Sequence, residues 1–256
     1  MAKIDSHAIV SPKAELAGDV EVGPFTIIEP DVIIDSGSRL ASCALIASGT
    51  RIGKNCTIFH SAVIGTIPQD LKFEGEYTTV QIGDNTIIRE FCTINRGTKA
   101  TGETIIGSNC LLMIYSHVAH DCHIGNNVIL ANSVNLAGHI TIEDYVAIGG
   151  VVPIHQFVRI GKHSFIGGGF RVDRDVPPYI LAAGYPLKYM GLNVVGLRRR
   201  NFSSETIAAI KSAYRIIYQS NLNRSQALEQ IKNTKLKTPE IDDIYYFISQ
   251  SERGII

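Results

Sequence analysis

The chain has 256 residues, 45% hydrophobic and 19% charged, a globular composition that excludes a disordered chain. Lys plus Arg and Asp plus Glu number 24 each, so the basic excess of a nucleic-acid-binding protein is missing, and no apolar run approaches a membrane span. The five cysteines (Cys43, Cys56, Cys92, Cys110 and Cys122) are odd in number and form no C-x-x-C pair. They read as reduced thiols. With no apolar leader behind Met-Ala-Lys-Ile, they predict a cytoplasmic protein.

From Ile4 to Ile64 every sixth residue is Ile, Leu or Val, eleven in a row. The rhythm resumes at Ile82, Ile88 and Ile94, then runs unbroken through twelve positions from Ile106 to Val172. A period of six fits neither a helix nor a plain alternating strand. It fits a coil in which each hexad supplies a short strand and a turn, with the aliphatic pointing inward. Three hexads make one 18-residue triangular turn of parallel β-helix, stacked on the next at about 4.8 Å. Glycine often follows the aliphatic, as at Gly53, Gly83, Gly107 and Gly125, and is expected to supply the turn conformation. All 26 aliphatics are expected to form the core, each contributing about 1.5–3 kcal/mol on burial.

The rhythm breaks twice, at residues 65–79 and 95–104. Such breaks predict loops that leave the coil, and loops on a rigid scaffold commonly carry function. After Val172 the period stops at DVPPY (175–179). Helical signals follow. Ser203 or Ser204 is placed to cap a run with Ile207, Ile210, Tyr214 and Ile217, and Ser225 one with Leu228 and Ile231. Thr238-Pro239 opens a third run as cap and first helical residue. The expected fold is mainly β: a parallel β-helix over 1–189 and a helical domain over 190–256 that covers the exposed edge of the last coil.

The neutral total hides an asymmetry. Residues 1–157 hold 9 Lys/Arg against 16 Asp/Glu, a net of −7, whereas 158–256 hold 15 against 8, a net of +7. Unless this is mere variation over a solvated surface, the basic part attracts an acidic partner.

The 18-residue turn also works as a ruler. His120, Gly138 and Gln156 fall in one column, with Asp121 and His139 in the column beside it. A histidine, a bare backbone N–H, an amide, a carboxylate and a second histidine therefore converge within about two coil spacings, roughly 10 Å. A lone turn histidine is most often surface decoration; five such residues in adjacent columns point to a site. The spacing His117-x-x-His120-x-x-His123 invites a zinc reading. Three residues is half a hexad, however, so these rings should lie on different sides of the triangle, and no metal is expected within one chain.

HVAHDC (117–122), PQDLKF (68–73), INRGT (94–98), LAGH (136–139), HQF (155–157), DVPPY (175–179) and NVVGLRRR (193–200) occur together with both loops and the helical tail. In these motifs, essentially along its whole length, the chain resembles the acyl-carrier-protein–UDP-N-acetylglucosamine O-acyltransferases that open lipid A biosynthesis in Gram-negative bacteria. The resemblance implies a left-handed coil, against the usual right-handed crossover, and a homotrimer with sites between subunits. It implies transfer of an (R)-3-hydroxyacyl group from the carrier thioester to the sugar 3-hydroxyl, without a cofactor. His120 would be the general base, Asp121 its orienting carboxylate and Gly138 N–H the oxyanion donor. By the same resemblance Gln69, Asp70, Lys72 and His139 line the cleft, and His117, His155 and Gln156 position substrate. Asn193, Arg199 and Arg200 would contact nucleotide and diphosphate. Gly168 and Phe165 would set acyl length.

Val195, Asn95, Phe165 and Pro186 depart from residues some members carry there, respectively acidic, His, Met and His. The alternatives are a different hexapeptide-repeat acyltransferase, N-acyl- or acetyl-CoA-dependent, or a non-catalytic β-solenoid scaffold. An N-acyltransferase of the pathway normally carries an added N-terminal uridine-binding domain, whereas here the repeat begins at Ile4.

Overall fold

The computed structural model describes residues 1–234 and 238–256. Strands of mostly two residues wind into a left-handed parallel β-helix of triangular section. Its three sides are an 11-stranded sheet containing Lys3–Ile4 and Phe165–Ile166, an 8-stranded sheet from Ile9–Val10 to Pro153–Ile154, and an 8-stranded sheet from Glu15–Leu16 to Arg159–Ile160. We call these the first, second and third sheets. Partners lie 18 residues apart, as in Lys3–Glu21 and His117–Asn135. Across the two inserts the offset grows to 30 (Thr57–Ile87) and 24 (Thr93–His117).

Both inserts leave the coil between the second and third sheets. The first joins Val63–Thr66 to Thr79–Ile82, and the second joins Thr93–Asn95 to Glu103–Ile106. The strands thus run one or two residues into the expected loops.

The inward aliphatics from Val22 to Val172 are all buried. Ile4 is 46% exposed, and Val10 and Leu16 are half-buried, because no coil lies beneath the first one. The core is therefore three aliphatics smaller than the sequence period implies.

The turns also depart from expectation. The residue that takes φ near +60° is the third after most inward aliphatics, as at Asn55 (55°), Asn85 (56°), Asp121 (59°) and His139 (62°). Asn, Asp and His tolerate this region better than most residues with a Cβ. The glycines directly after the aliphatics mostly serve close packing instead. A Cβ on Gly83 would lie 2.6 Å from Ser108 N, and one on Gly149 would lie 2.4 Å from Gly168 N.

Beyond the coil, Ile180–Ala183 extends the first sheet in parallel with Phe165–Ile166 and pairs antiparallel with Lys188–Leu192. The boundary expected at 189/190 falls inside that last strand. Four helices follow: α1 (Val194–Arg199), α2 (Ser204–Gln219), α3 (Arg224–Asn233) and α4 (Pro239–Ser249). Ser203 caps α2. Asn223, not Ser225, caps α3, in a reciprocal capping box with Gln226 that satisfies two otherwise orphan donors. Thr238 precedes Pro239 at the start of α4 without making a side-chain cap bond.

These elements are tied to the end of the coil. Tyr214 donates to Pro178 O (2.5 Å), and buried Asp175 accepts from Arg159 N (2.8 Å) and Ser251 Oγ (2.7 Å). Among the described residues no helix is long and apolar enough to cross a membrane.

Candidate active site

His120 and Asp121 occupy the turn that joins the second sheet at His117–Val118 to the third at His123–Ile124. They lie on the same edge of the prism as both inserts, on the next coil. Asp121 sits in the left-handed turn position and its side chain is wholly buried. One oxygen, Oδ2, lies 2.7 Å from His120 Nδ1 and accepts from Thr98 Oγ1 (2.7 Å). The other, Oδ1, accepts from Thr98 N (3.0 Å) and lies 2.5 Å from Thr101 Oγ1. Burial pushes this carboxyl up, but the bonds from Thr101, His120 and Thr98 together outweigh it and hold it at about 2. The anion therefore persists at neutral pH and fixes the proton of His120 on Nδ1, leaving Nε2 as the free acceptor.

One coil on, Gly138 packs against the face of His120, and His139 meets that ring edge-on at a centroid distance of 5.0 Å. Phe157, on the third coil, stacks on His139 at 4.6 Å, beside Gln156. Among the described residues nothing accepts from Gly138 N–H. At the equivalent turn positions between the third and first sheets, Ser108 and Asn126 N–H are taken by the side chains of Asn126 and Asp144. The Gly138 donor is unpartnered within the described chain, as are the N–H groups of His120 and Gln156 at the same position of the adjoining coils.

His117 stands on the neighbouring strand with Nδ1 2.7 Å from Thr93 Oγ1, and burial pushes its pKa down. His155 Nδ1 lies 3.1 Å from Gln156 O. Gln69, Asp70 and Lys72 lie on the first insert, where Asp70 Oδ1 accepts from Lys72 N (3.0 Å) in a local turn.

His120, Asp121 and His139 bring three ligand atoms within 4.8 Å of one another. Both Asp121 oxygens already accept from Thr98, Thr101 and His120, so a metal would have to displace those donors. His117 and His123, one full hexad apart, lie on different sheets and do not join the cluster.

The remaining expected site residues lie elsewhere. Phe165 is on the first sheet, which is the side of the triangle opposite the edge that carries His120. A cavity of about 680 Å³ covers that sheet, lined by Ile129, Ala147, Phe165, Leu181 and Leu192 together with Asn193, Val195, Arg199 and Arg200. Gly168 does not line the cavity itself but packs against Gly149, which does. Asn193 caps α1 and donates through Nδ2 to His163 O (2.9 Å). Arg200 donates to Tyr145 O (3.2 Å) and lies over the Tyr145 ring. One chain thus gathers the sequence-predicted residues in two places, on opposite sides of the coil.

Three neighbours were not singled out by sequence. Thr98 and Thr101 belong to the insert, where no period marks a residue's direction. His163 stacks between Tyr145 and Tyr179, and burial with Arg200 and Lys162 nearby pushes it down to about 4.

Residues 175–256 match the family profile for the second domain of UDP N-acetylglucosamine O-acyltransferase, and 103–138 match the bacterial transferase hexapeptide repeat. An acyl-[acyl-carrier-protein]–UDP-N-acetylglucosamine O-acyltransferase of Thermodesulfovibrio yellowstonii is 48% identical over 100% of this chain and 99% of its own. The chain belongs to this O-acyltransferase family. A relative of the same name from Herminiimonas arsenicoxydans is 46% identical over the full length of both chains. The crystal structure of the UDP-N-acetylglucosamine acyltransferase of Bacteroides fragilis superimposes with a TM-score of 0.97 at 50% identity, covering 99% of each chain. Of the positions that depart from some O-acyltransferases, Phe165 and Val195 line the cavity, Pro186 is exposed, and Asn95 is buried beneath the first insert.

Proposed function

We propose that the protein transfers an (R)-3-hydroxyacyl group from acyl carrier protein to the 3-hydroxyl of UDP-N-acetylglucosamine, the first step of lipid A biosynthesis, with His120 as general base. A sugar hydroxyl is too weak a nucleophile at neutral pH to attack unaided. His120 Nε2 takes its proton as the oxygen adds to the thioester carbon. The developing imidazolium is held by Asp121, and the oxyanion accepts the free N–H of Gly138. Collapse breaks the C–S bond, and the departing carrier thiolate takes the proton back from His120. The thioester supplies the activated acyl group, so the chemistry calls for no cofactor.

The observation that carries this reading is His120 held by the buried Asp121 carboxylate and packed against Gly138 on the next coil. In this reading His117, His139, His155 and Gln156 position the substrate, and Gln69, Asp70 and Lys72 contribute from the first insert, which leaves the coil along the same edge. By the same reading Asn193, Arg199 and Arg200 receive the nucleotide and diphosphate, and Phe165 and Gly168 border the acyl tail. These residues complete the site only if the first sheet of one copy faces the His120 edge of another. Such a contact joins unlike faces, and it makes a ring where the rotation between copies closes. The family resemblance makes that ring a homotrimer acting in the cytoplasm.

Incubation with UDP-N-acetylglucosamine and a panel of 3-hydroxyacyl carrier proteins, followed by mass spectrometry, tests the reaction. The expected product is the 3-O-acyl sugar nucleotide; no acyl transfer to this sugar would overturn the assignment. Mixed oligomers test the assembly. His120→Ala and Arg200→Ala chains, each inactive alone, should regain activity when co-assembled. Without regain, the two halves of the site do not come from different copies.

A further inference from the structure

The second insert is built around one buried carboxylate. Thr98 approaches Asp121 with two donors, its N–H to Oδ1 at 3.0 Å and its hydroxyl to Oδ2 at 2.7 Å. The Thr101 hydroxyl lies 2.5 Å from Oδ1 and 2.8 Å from Glu103 O. A third threonine, Thr104, accepts Asp121 N–H at 2.9 Å. Thr98 and Thr104 are buried, and the side chain of Asp121 has no exposure at all.

The insert is itself anchored. Asn95 Nδ2 donates to Thr66 Oγ1 and Ile67 O (both 3.0 Å), Arg96 Nε donates to Gly65 O (2.9 Å), and Thr78 Oγ1 donates to Gly97 O (2.6 Å). A buried carboxylate with unfilled lone pairs turns to find donors, and each unmade bond is costly. Here the donors come from a braced loop, so the carboxylate has one orientation, and that orientation aims Oδ2 at His120 Nδ1.

We propose that Thr98 and Thr101 are positioning residues for acyl transfer, acting through Asp121 to fix the plane and tautomer of the His120 ring. The inference rests on His120 being the base. Its physical content, that the threonines hold the Asp121–His120 pair, can be measured without turnover. The charged and titratable groups facing the pair are His139, with Nδ1 3.8 Å from Asp121 Oδ2, and the buried Cys122 thiol. Burial pushes that thiol up to about 12, so it stays neutral. Removing the hydroxyls leaves the Asp121 charge with His120 and the Thr98 N–H as its remaining partners. The protonated imidazole gains, and the acid limb of the rate profile moves to higher pH.

The test compares Thr98→Val, Thr101→Val and the double variant with Thr98→Ser and wild type in the full-length protein. Each Val variant should lower kcat about tenfold with KM for UDP-N-acetylglucosamine nearly unchanged, and Thr98→Ser should recover most of the loss. The acid limb of kcat/KM should move up in the double variant. In the substrate-free protein, the downfield proton resonance of the His120 Nδ1–H···Asp121 bond should shift upfield or broaden. An unmoved resonance and pH profile in a folded double variant would overturn the proposal, as would failure of Thr98→Ser to recover activity. Turnover that survives His120→Ala would overturn the assignment of the base instead, while the resonance would still report whether the threonines hold the pair.

Discussion

A Cβ placed on Gly138 would stand 2.6 Å from Cε1 and 2.8 Å from Nε2 of His120. Glycine is required there by the neighbouring ring, since Gly138 is not among the residues with positive φ. Gly138→Ala should therefore fold, push the base aside and lower kcat by about 10²-fold or more. His120→Ala should lower the rate by about 10²–10⁴-fold with melting behaviour close to wild type. Steady-state rates beside circular-dichroism melts decide both cases. Near-wild-type turnover from either folded variant would remove that residue from the chemistry.

Asp121 also links the site to acid stability. Its folded pKa of about 2 lies below the value of about 3.9 expected for an unfolded chain. A depressed carboxylate stabilises the fold above the unfolded pKa, and the benefit is lost as pH falls through the folded one. Asp121→Asn should thus cost stability at pH 7, with the difference from wild type shrinking between about pH 4 and pH 2. Urea melts across that window measure it. A difference constant with pH would mean that the carboxylate is not held as an anion in the folded protein.

The basic portion of the chain should dock the acidic carrier protein, and the structure narrows the contacts. Lys162 Nζ is bound to Asp243 Oδ1 at 2.8 Å, and Arg159 lies over the Phe247 ring. Arg171, Arg174, Arg198, Lys211 and Arg215 are exposed. Reversing these five should raise KM for the acyl carrier and flatten its dependence on ionic strength. If both parameters hold, the carrier docks elsewhere.

Gly168→Met should favour shorter acyl donors. A Cβ there would come within 3.1 Å of Gly150 O, beside Gly149 of the cavity wall. Each methylene denied burial forfeits about 0.8 kcal/mol, about a fourfold loss for the long chain. Competition between short and long 3-hydroxyacyl carriers reads the ratio of kcat/KM. An unchanged ratio would mean that Gly168 does not face the tail.

The period of six was enough to place the coil, its inserts and the columns of His120, Gly138 and His139, because an inward aliphatic every sixth residue gives three sides to each coil; the hand of the coil came from the family resemblance alone. The period misassigned the turn glycines. The left-handed position is filled by residues as different as Asn55, Phe91, Asp121 and His163, and carries no single compositional mark. It also could not show that Arg199 and Arg200 stand opposite His120, since that depends on which side of the triangle the chain reaches when the rhythm ends. Thr98 and Thr101 escaped notice for a related reason: an insert has no register, so only coordinates reveal where its hydroxyls point.

The first coil, with Ile4, Val10 and Leu16 incompletely covered, bears on self-association. Each side presents a strand of only two residues, Lys3–Ile4, Ile9–Val10 and Glu15–Leu16. A long flat edge would recruit almost any extended peptide. Here an intruder could pair with only two residues before the chain turns a corner. Continuous stacking would demand a visitor that turns at the same three corners in step. The first coil is thus guarded by its shape, and Lys3 and Glu15 add charge to two of its three sides.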